Sequence, residues 1–402
     1  QALLSEQHVI LLNSDAFVPA GWISRLMSPI FRNAMVASTT PMSNDAEIFT
    51  SPVICQRHDL DAGVADKIDA TAAKLNEQLD LVQAPTGVGF CMGLNSAFLR
   101  SAPQFDTGFG RGYGEEVDWC QKARAKGGLH LGVPNLFVEH RGGQSFGSEE
   151  KLKLIANNNM IIARRYPSYD ADVQTFIAQD PMKSTRLALG IALAAAQGEE
   201  TPIYIAHSLG GGAENYLMHR IEQLHTSLGK SVVVLRLGGP LMWSIELITP
   251  YGITSGSCEN LDTVLRYLEP LEERRIVYSC AVGTPDPITL PAALIELARG
   301  GRDQLEILFH DFFPVSPSYT LLDSDGVYRG VPLPSRTDDT AHTIRRPDGS
   351  TASLQDWQDS WRSAVTIAAK LVAFSDNSGA LVREAYPEAA DKVEVRPHDL
   401  IT

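Results

Sequence analysis

The sequence predicts an α/β protein made of two successive modules joined by a helical stretch. Short, continuous apolar runs such as His8 to Leu12 and Ser231 to Arg236 have the pattern of strands buried on both faces. They alternate with segments of helical spacing, of which Leu60, Val64, Ile68, Ala72 and Leu75 form one. The alternation then starts afresh at Ile203, after a break at Gly198 to Pro202, which sets expected spans of 1–147, 148–198 and 199–402.

In the first span the strand at His8 to Leu12 delivers Asn13, Ser14 and Asp15 onto the loop at its carboxyl end, where open α/β sheets take ligands. A helix over Ile23 to Phe31 and a strand over Ala34 to Ser38 follow, then an irregular insertion from Thr39 to Gln56. An amphipathic helix is expected within Asp59 to Gln78, and a strand over Gly87 to Leu94. After a glycine cluster, a helix over Asp118 to Lys126 closes at Gly127 and Gly128. Two short strands, His130 to Pro134 and Leu136 to His140, complete the span. Residues 148–198 read as a helical connector interrupted at Tyr166 to Tyr169. In the last span, strands are expected at Ile203 to Ala206, Ser231 to Arg236, Arg275 to Tyr278, Leu305 to His310, Leu371 to Phe374 and Val393 to Arg396. Helices are expected after Gly212, over Leu261 to Leu268 and over Leu290 to Arg299.

Composition narrows the functional classes. A formal net charge of −14 over 402 residues argues against a nucleic-acid partner, which needs a basic face. The five cysteines are scattered singly, so neither a disulfide framework nor a zinc site is suggested, and a reducing cytoplasm fits best. The most apolar run, Leu187 to Ala196, is too short to span a bilayer. Because the chain opens on Gln1 with a strand almost at once and stops just after another, it reads as a piece truncated at both ends.

The chemistry concentrates between Phe105 and Trp119. Gly108, Gly110, Gly112 and Gly114 permit close backbone approach to a ligand, and Glu115, Glu116 and Asp118 follow at a loop-to-helix junction. Crowded carboxylates in a partly desolvated cleft shift toward general-base range, whereas acidic residues that only cap a helix have no chemical role. Both readings stand at this point.

Asn13 to Asp15 with a tryptophan soon after, Pro85 to Met92, Phe105-Asp106 with Gly112 to Asp118, and Val138 to His140 together resemble the family-2 glycosyltransferases, in particular their rhamnosyltransferase-like branch. The resemblance implies a GT-A fold, Rossmann-like, with its amino-terminal half missing. It also implies that Asn13-Ser14-Asp15 takes the place of an Asp-x-Asp loop binding Mg²⁺ or Mn²⁺ through Asp15 with His140, the first aspartate being replaced by asparagine. A turn role for Asp15 and a structural role for His140 are the alternatives. Glu116 falls where the family carries its base, with Glu115 and Asp118 as substitutes. Gly89 and Trp119 would line the donor or acceptor, although core burial is the commoner fate of a tryptophan.

The last span resembles the amino-terminal half of GT-B, family-4-like glycosyltransferases through Ile205 to Asn215 and His310 to Asp323. That resemblance points to Gly210, Gly211, Gly212 and His310 for diphosphate or acceptor contacts, a packing turn being the alternative for the glycines. The expectation is a sugar transfer from a nucleotide-sugar donor to a glycan or lipid-linked glycan in surface polysaccharide synthesis. It would take place in the cytoplasm, with peripheral association at the inner face of the membrane. The rival is that one module is a non-catalytic carbohydrate-binding or scaffolding domain.

Overall fold

The computed structural model describes residues 7–76, 81–110, 114–142, 148–207, 209–335 and 337–397. The chain is α/β and divides into two compact units, Gln1–Gln197 with Tyr251–Thr254, and Gly198–Pro250 with Ser255–Thr402. Among the described residues no helix is long and apolar enough to cross a membrane.

The first unit begins with β1 (Val9–Leu12) and β2 (Ala16–Phe17), separated by the Asn13 to Asp15 turn. Helix α1 (Trp22–Arg32), β3 (Val36–Ser43), α2 (Val64–Ala72), β4 (Val82–Ala84), β5 (Cys91–Leu94), α3 (Ser96–Ser101), α4 (Glu115–Arg124) and β6 (Leu129–His140) follow. The sheet runs β1-β5-β3-β6-β2, with β4 also on β6. It is mixed, because β3 and β6 are parallel while β1 and β5 are antiparallel.

Several boundaries differ from the sequence reading, each for a local reason. Thr39 to Ser43 belongs to β3, so the irregular segment starts later. The two strands expected between His130 and His140 are one strand, because the β3 register shifts between Pro41 and Met42 and lets residues 134–136 bulge out. Pro134 has no amide to give a ladder, which suits it to that place. The helix expected within Asp59 to Gln78 begins only after Gly63, whose φ of 81° stops it extending backward, and residues 77–80 lie outside the described residues. The strand expected from Gly87 starts at Cys91.

Residues 148–197 are grouped with the first unit, where the sequence reads a connector. They form α5 (Ser148–Arg165), α6 (Tyr169–Gln179) and α7 (Lys183–Ala196). Phe176, Met182, Leu189 and Leu193 join the core of Leu26, Phe49, Ile68, Val133 and Phe137. Arg186, fully buried on α7, donates Nε–H to the Thr50 carbonyl at 2.8 Å and pairs with Asp180.

In the second unit β7 (Thr201–His207), α8 (Gly212–Leu228), β8 (Val232–Leu237), β9 (Trp243–Thr249), β10 (Gly252–Cys258), α9 (Leu261–Leu268) and β11 (Arg274–Tyr278) come first. Then come α10 (Leu290–Leu297), β12 (Gln304–Phe309), the hairpin of β13 (Ile344–Arg345) and β14 (Thr351–Ala352), α11 (Leu354–Ile367), β15 (Lys370–Ala373), α12 (Asp376–Ala385) and β16 (Val393–Val395). The sheet order is β10-β9-β8-β7-β11-β12-β15-β16, parallel from β8 to β16. Successive strands leave β7 in opposite directions, so a crevice for ligands is expected beyond the carboxyl ends of β7 and β11.

Gly132 in β6 tests whether α7 is integral to the first core. A Cβ there would lie 2.8 Å from both Met182 Sδ and Phe49 Cε1. Gly132→Ala is expected to cost about 1–3 kcal/mol by overpacking, read by denaturant unfolding. Adding Met182→Ala should make the two effects non-additive, whereas strict additivity would detach the α7 region from this core.

Candidate active site

The first unit brings Asn13, Asp15 and His140 together. Asn13 N–H donates to the Phe90 carbonyl at 2.8 Å, and Arg141 N–H to the Asp15 carbonyl at 3.0 Å, which fixes the turn between β1 and β6. His140, at the last position of β6, has both backbone groups bonded to the side chain of Asn44, at 2.8 and 3.0 Å. Its Nδ1 lies 2.7 Å from the Asp45 carbonyl, an acceptor only, so Nδ1 carries the proton and Nε2 presents a lone pair. That lone pair faces Asp15 Oδ1 at 3.5 Å and the Asn13 amide at 3.5 Å.

Two acceptors facing each other at that distance favour a proton or a cation between them. Turning the Asn13 amide over, which exchanges O and N, gives a donor set of carboxylate oxygen, amide oxygen and imidazole nitrogen. Among the described residues no three His, Cys, Asp or Glu side chains converge as a ready-made metal cage. The set still fits Mg²⁺ or Mn²⁺, because Mg²⁺ is ordinarily held by one or two carboxylates and completed by substrate phosphates and water.

Helix α4 brings further carboxylates near this site, because Glu116 lies over Gly89 and the next residue, Phe90, has its ring 5.0 Å from that of His140. Gly114, at φ 118°, starts this helix, and its N–H donates to Glu116 Oε2 at 3.2 Å. The sequence places Glu115 and Glu116 ahead of the helix, whereas they open it. Glu116 is half-buried and lies over Gly89, whose built Cβ would be 3.7 Å from Glu116 Cγ. Burial first, then the Glu116 charge, pushes the Glu115 carboxyl above the usual range, and its Oε2 is buried with no hydrogen-bond partner. Gly112 and Tyr113 lie outside the described residues.

Glu47, which sequence reasoning missed, links the two sets of residues. It is exposed to solvent. Desolvation raises its pKa, followed by the charges of Glu116 and Asp45. Asp45 Oδ2 in turn lies 3.9 Å from His140 Nδ1. Glu47 holds φ 50°, uncommon for a residue with a Cβ. Its carbonyl accepts the amides of Thr50 and Cys55, both at 3.0 Å, which keeps that conformation. Burial first, then the charge of Glu47, raises the phenol of Tyr169 at the start of α6. The only sequence signal for Glu47 was an acidic residue in an irregular stretch.

Two predicted site residues are placed elsewhere. Trp119 is 1% exposed and donates Nε1–H to the Ala102 carbonyl at 3.0 Å, so it belongs to the core. Asp118, also 1% exposed, meets Arg165 and Tyr166 at 2.8 Å and Lys122 at 2.5 Å. Burial pushes its pKa up, but these donors outweigh it and hold the group below the usual range. With its oxygens committed, Asp118 ties α4 to α5 through Arg165, which also reaches Asp106 at 2.7 Å.

In the second unit Gly210, Gly211 and Gly212 are exposed, and a Cβ on any of them would meet nothing within 4 Å, so no packing demand explains them. Gly210 and Gly211 have φ of 76° and 94°, which does explain a turn. Beside them His207 Nδ1 accepts the Leu209 amide at 2.9 Å. His310 is half-buried, stacked on Phe374 at 4.4 Å and edge-on to Tyr216 at 4.9 Å.

No protein-family model matches the chain, and no curated protein matches it either.

Asp118→Asn should lower stability by about 1–3 kcal/mol, the cost of leaving hydrogen-bonded groups without their partner. Because the folded pKa is depressed, this contribution is present above the unfolded value near 3.9 and fades as pH falls through the folded one. The difference in unfolding free energy between the two proteins should therefore shrink in acid; a constant difference down to pH 2 would contradict the assignment.

Proposed function

We propose that the first unit is an inverting, metal-assisted centre of the family-2, GT-A glycosyltransferase type. It moves a sugar from a nucleotide-sugar donor to a glycan or lipid-linked glycan acceptor. On this reading the second unit is the acceptor-side half of a family-4-like GT-B module, and the protein serves surface polysaccharide synthesis at the cytoplasmic side of a membrane. The observation that carries the reading is His140 Nε2 set 3.5 Å from Asp15 Oδ1, with the ring held by Asp45 and Asn44.

Asp15, His140 and Asn13 would hold Mg²⁺ or Mn²⁺, whose contribution is to offset the charge developing on the leaving nucleoside diphosphate. Glu116 accepts the proton of the attacking acceptor hydroxyl. Its carboxylate is kept turned by the Gly114 amide, at 3.2 Å. Burial, then the Glu116 charge, raises the neighbouring Glu115 carboxyl above its usual range. A single displacement of this kind inverts the anomeric centre.

Glu116→Gln should lower turnover by roughly a hundredfold or more with donor affinity nearly unchanged. Near-normal transfer by that variant would remove Glu116 from the reaction. Metal dependence gives a separate check, because Mn²⁺ binding, followed by its paramagnetic signal, is expected to weaken at least tenfold in Asp15→Ala and in His140→Ala. Transfer at full rate in excess chelator would leave Asn13 to Asp15 as nothing more than a turn.

A further inference from the structure

A cavity of about 270 Å³ lies on the opposite side of β6 from His140. Its position follows from the strand register. Ala16 of β2 pairs with His140 and Phe17 pairs with Glu139. Facing residues of paired strands share a sheet side and successive residues alternate. Phe137, Glu139 and Arg141 thus turn away from the cleft, toward the start of α2, where Gly63 and Asp66 close the cavity.

The lining is specific in its chemistry. Glu139 is 6% exposed, and its two oxygens receive Arg141 Nε–H at 2.6 Å and Nη2–H at 3.3 Å. This pairing holds both groups in one plane and leaves the Nη1 donors and further carboxylate lone pairs for a ligand. The Arg141 guanidinium covers one side of the Phe17 ring, 3.9 Å from its centroid, while Phe17 remains 47% exposed. Gly63, at the start of α2, and Asp66 in its first turn complete the lining.

Charge decides the class of occupant. Glu139 and Asp66 repel an anion, whereas Arg141 and the positive end of α2 oppose a cation. A neutral ligand with many hydroxyl groups satisfies both sets, and an open aromatic ring offers an apolar face to the C–H side of such a ring. The volume is slightly below the roughly 300–1,000 Å³ of ordinary small-ligand sites, which suits one ring rather than an oligomer.

We infer that this cavity is a saccharide-binding subsite, separate from the candidate active site, that takes a single neutral pyranose unit against Phe17 and the neighbouring Glu139–Arg141 pair. It does not rest on the transfer reaction and operates without donor or metal. In the glycosyl-transfer setting it would hold a sugar of the acceptor glycan away from the reacting one.

The test is saturation-transfer NMR on the metal-free chain, with methyl glycosides of glucose, galactose, mannose and rhamnose presented singly. At least one should receive saturation. Phe17→Ala and Arg141→Ala should each weaken its binding fivefold or more, with unfolding midpoints confirming that both variants fold. Glu139→Gln, which keeps the shape of the side chain, serves as the second variant should Arg141→Ala unfold. Asp15→Ala and Glu116→Gln should bind as the parent does. The inference is overturned if no glycoside receives saturation, if binding survives Phe17→Ala and the Arg141 or Glu139 variant, or if it is lost instead in Asp15→Ala. Displacement of the glycoside by millimolar phosphate or by methylamine would also overturn it, because the site would then select charge.

Discussion

The candidate active site depends on one buried amide, that of Asn44. Strands β3 and β6 run parallel, and Asn44 follows immediately after β3, 1% exposed. Its Oδ1 accepts the His140 amide, while Nδ2 reaches the carbonyls of His140 and His58 at 3.0 and 2.8 Å. A side chain thus continues the strand pairing where the backbone ladder ends. The next residue, Asp45, receives the His140 ring on its carbonyl, so two neighbouring residues set both the backbone and the tautomer of the histidine. Each such bond contributes only about 0.5–1.5 kcal/mol net, yet losing the amide would leave several buried groups unpaired at once. The geometry opposite Asp15 is therefore a consequence of β3 ending where it does.

The legible parts of this arrangement were those carried by local pattern. A continuous apolar run before Asn13 announces a buried strand and puts a polar turn at its end, and the apolar residues before His140 do the same for β6. Asn44 and Glu47 were not legible, because they act from an irregular segment whose conformation is set by distant groups. The fully buried Arg186, for instance, holds the Thr50 carbonyl from α7, 136 positions away. Asp118 and Trp119 illustrate the opposite error. In sequence they adjoin the glutamates, but a helix starting at Glu115 turns successive residues about 100° apart. Glu115 and Glu116 stay in the first turn beside Gly114, while Asp118 and Trp119 rotate into the core.

In the second unit the β-branched runs of β7, β8 and β12 were readable because parallel strands buried on both faces leave little polar alternation. Strand β9, antiparallel to β8, and its neighbour β10 escaped notice. Trp243 to Thr249 mixes buried and half-buried positions, and β10 carries the polar Thr254, Ser255 and Ser257 instead of a hydrophobic run. Helix α11 also escaped notice, although Leu354, Trp357, Trp361, Ala364 and Val365 keep helical spacing along its buried face behind the Ser353 cap. Gln358 shares that face, its amide donating to the Val315 and Pro332 carbonyls at 3.1 and 2.9 Å.

Electrostatics imposes an order of events on the proposed reaction. Asp15, Asp45, Glu47 and Glu116 give the cleft four carboxyl groups, and the crowding is strong enough that burial, then Glu116 and Asp45, raise Glu47. Arg57 reaches Asp45 at 3.4 Å, but it shares itself with Asp59 at the same distance. Two unit charges 4 Å apart interact by about 4 kcal/mol at an effective dielectric of 20, so a bare diphosphate entering this cleft meets repulsion of that scale. The net charge of −14 offers it no long-range steering either. An anionic donor can then be retained only as a complex with a divalent cation. On the proposed reading, Asp15 and His140 would hold that cation, and it would have to bind before, or together with, the donor. By the same reasoning the proposed nucleoside diphosphate would leave together with the cation.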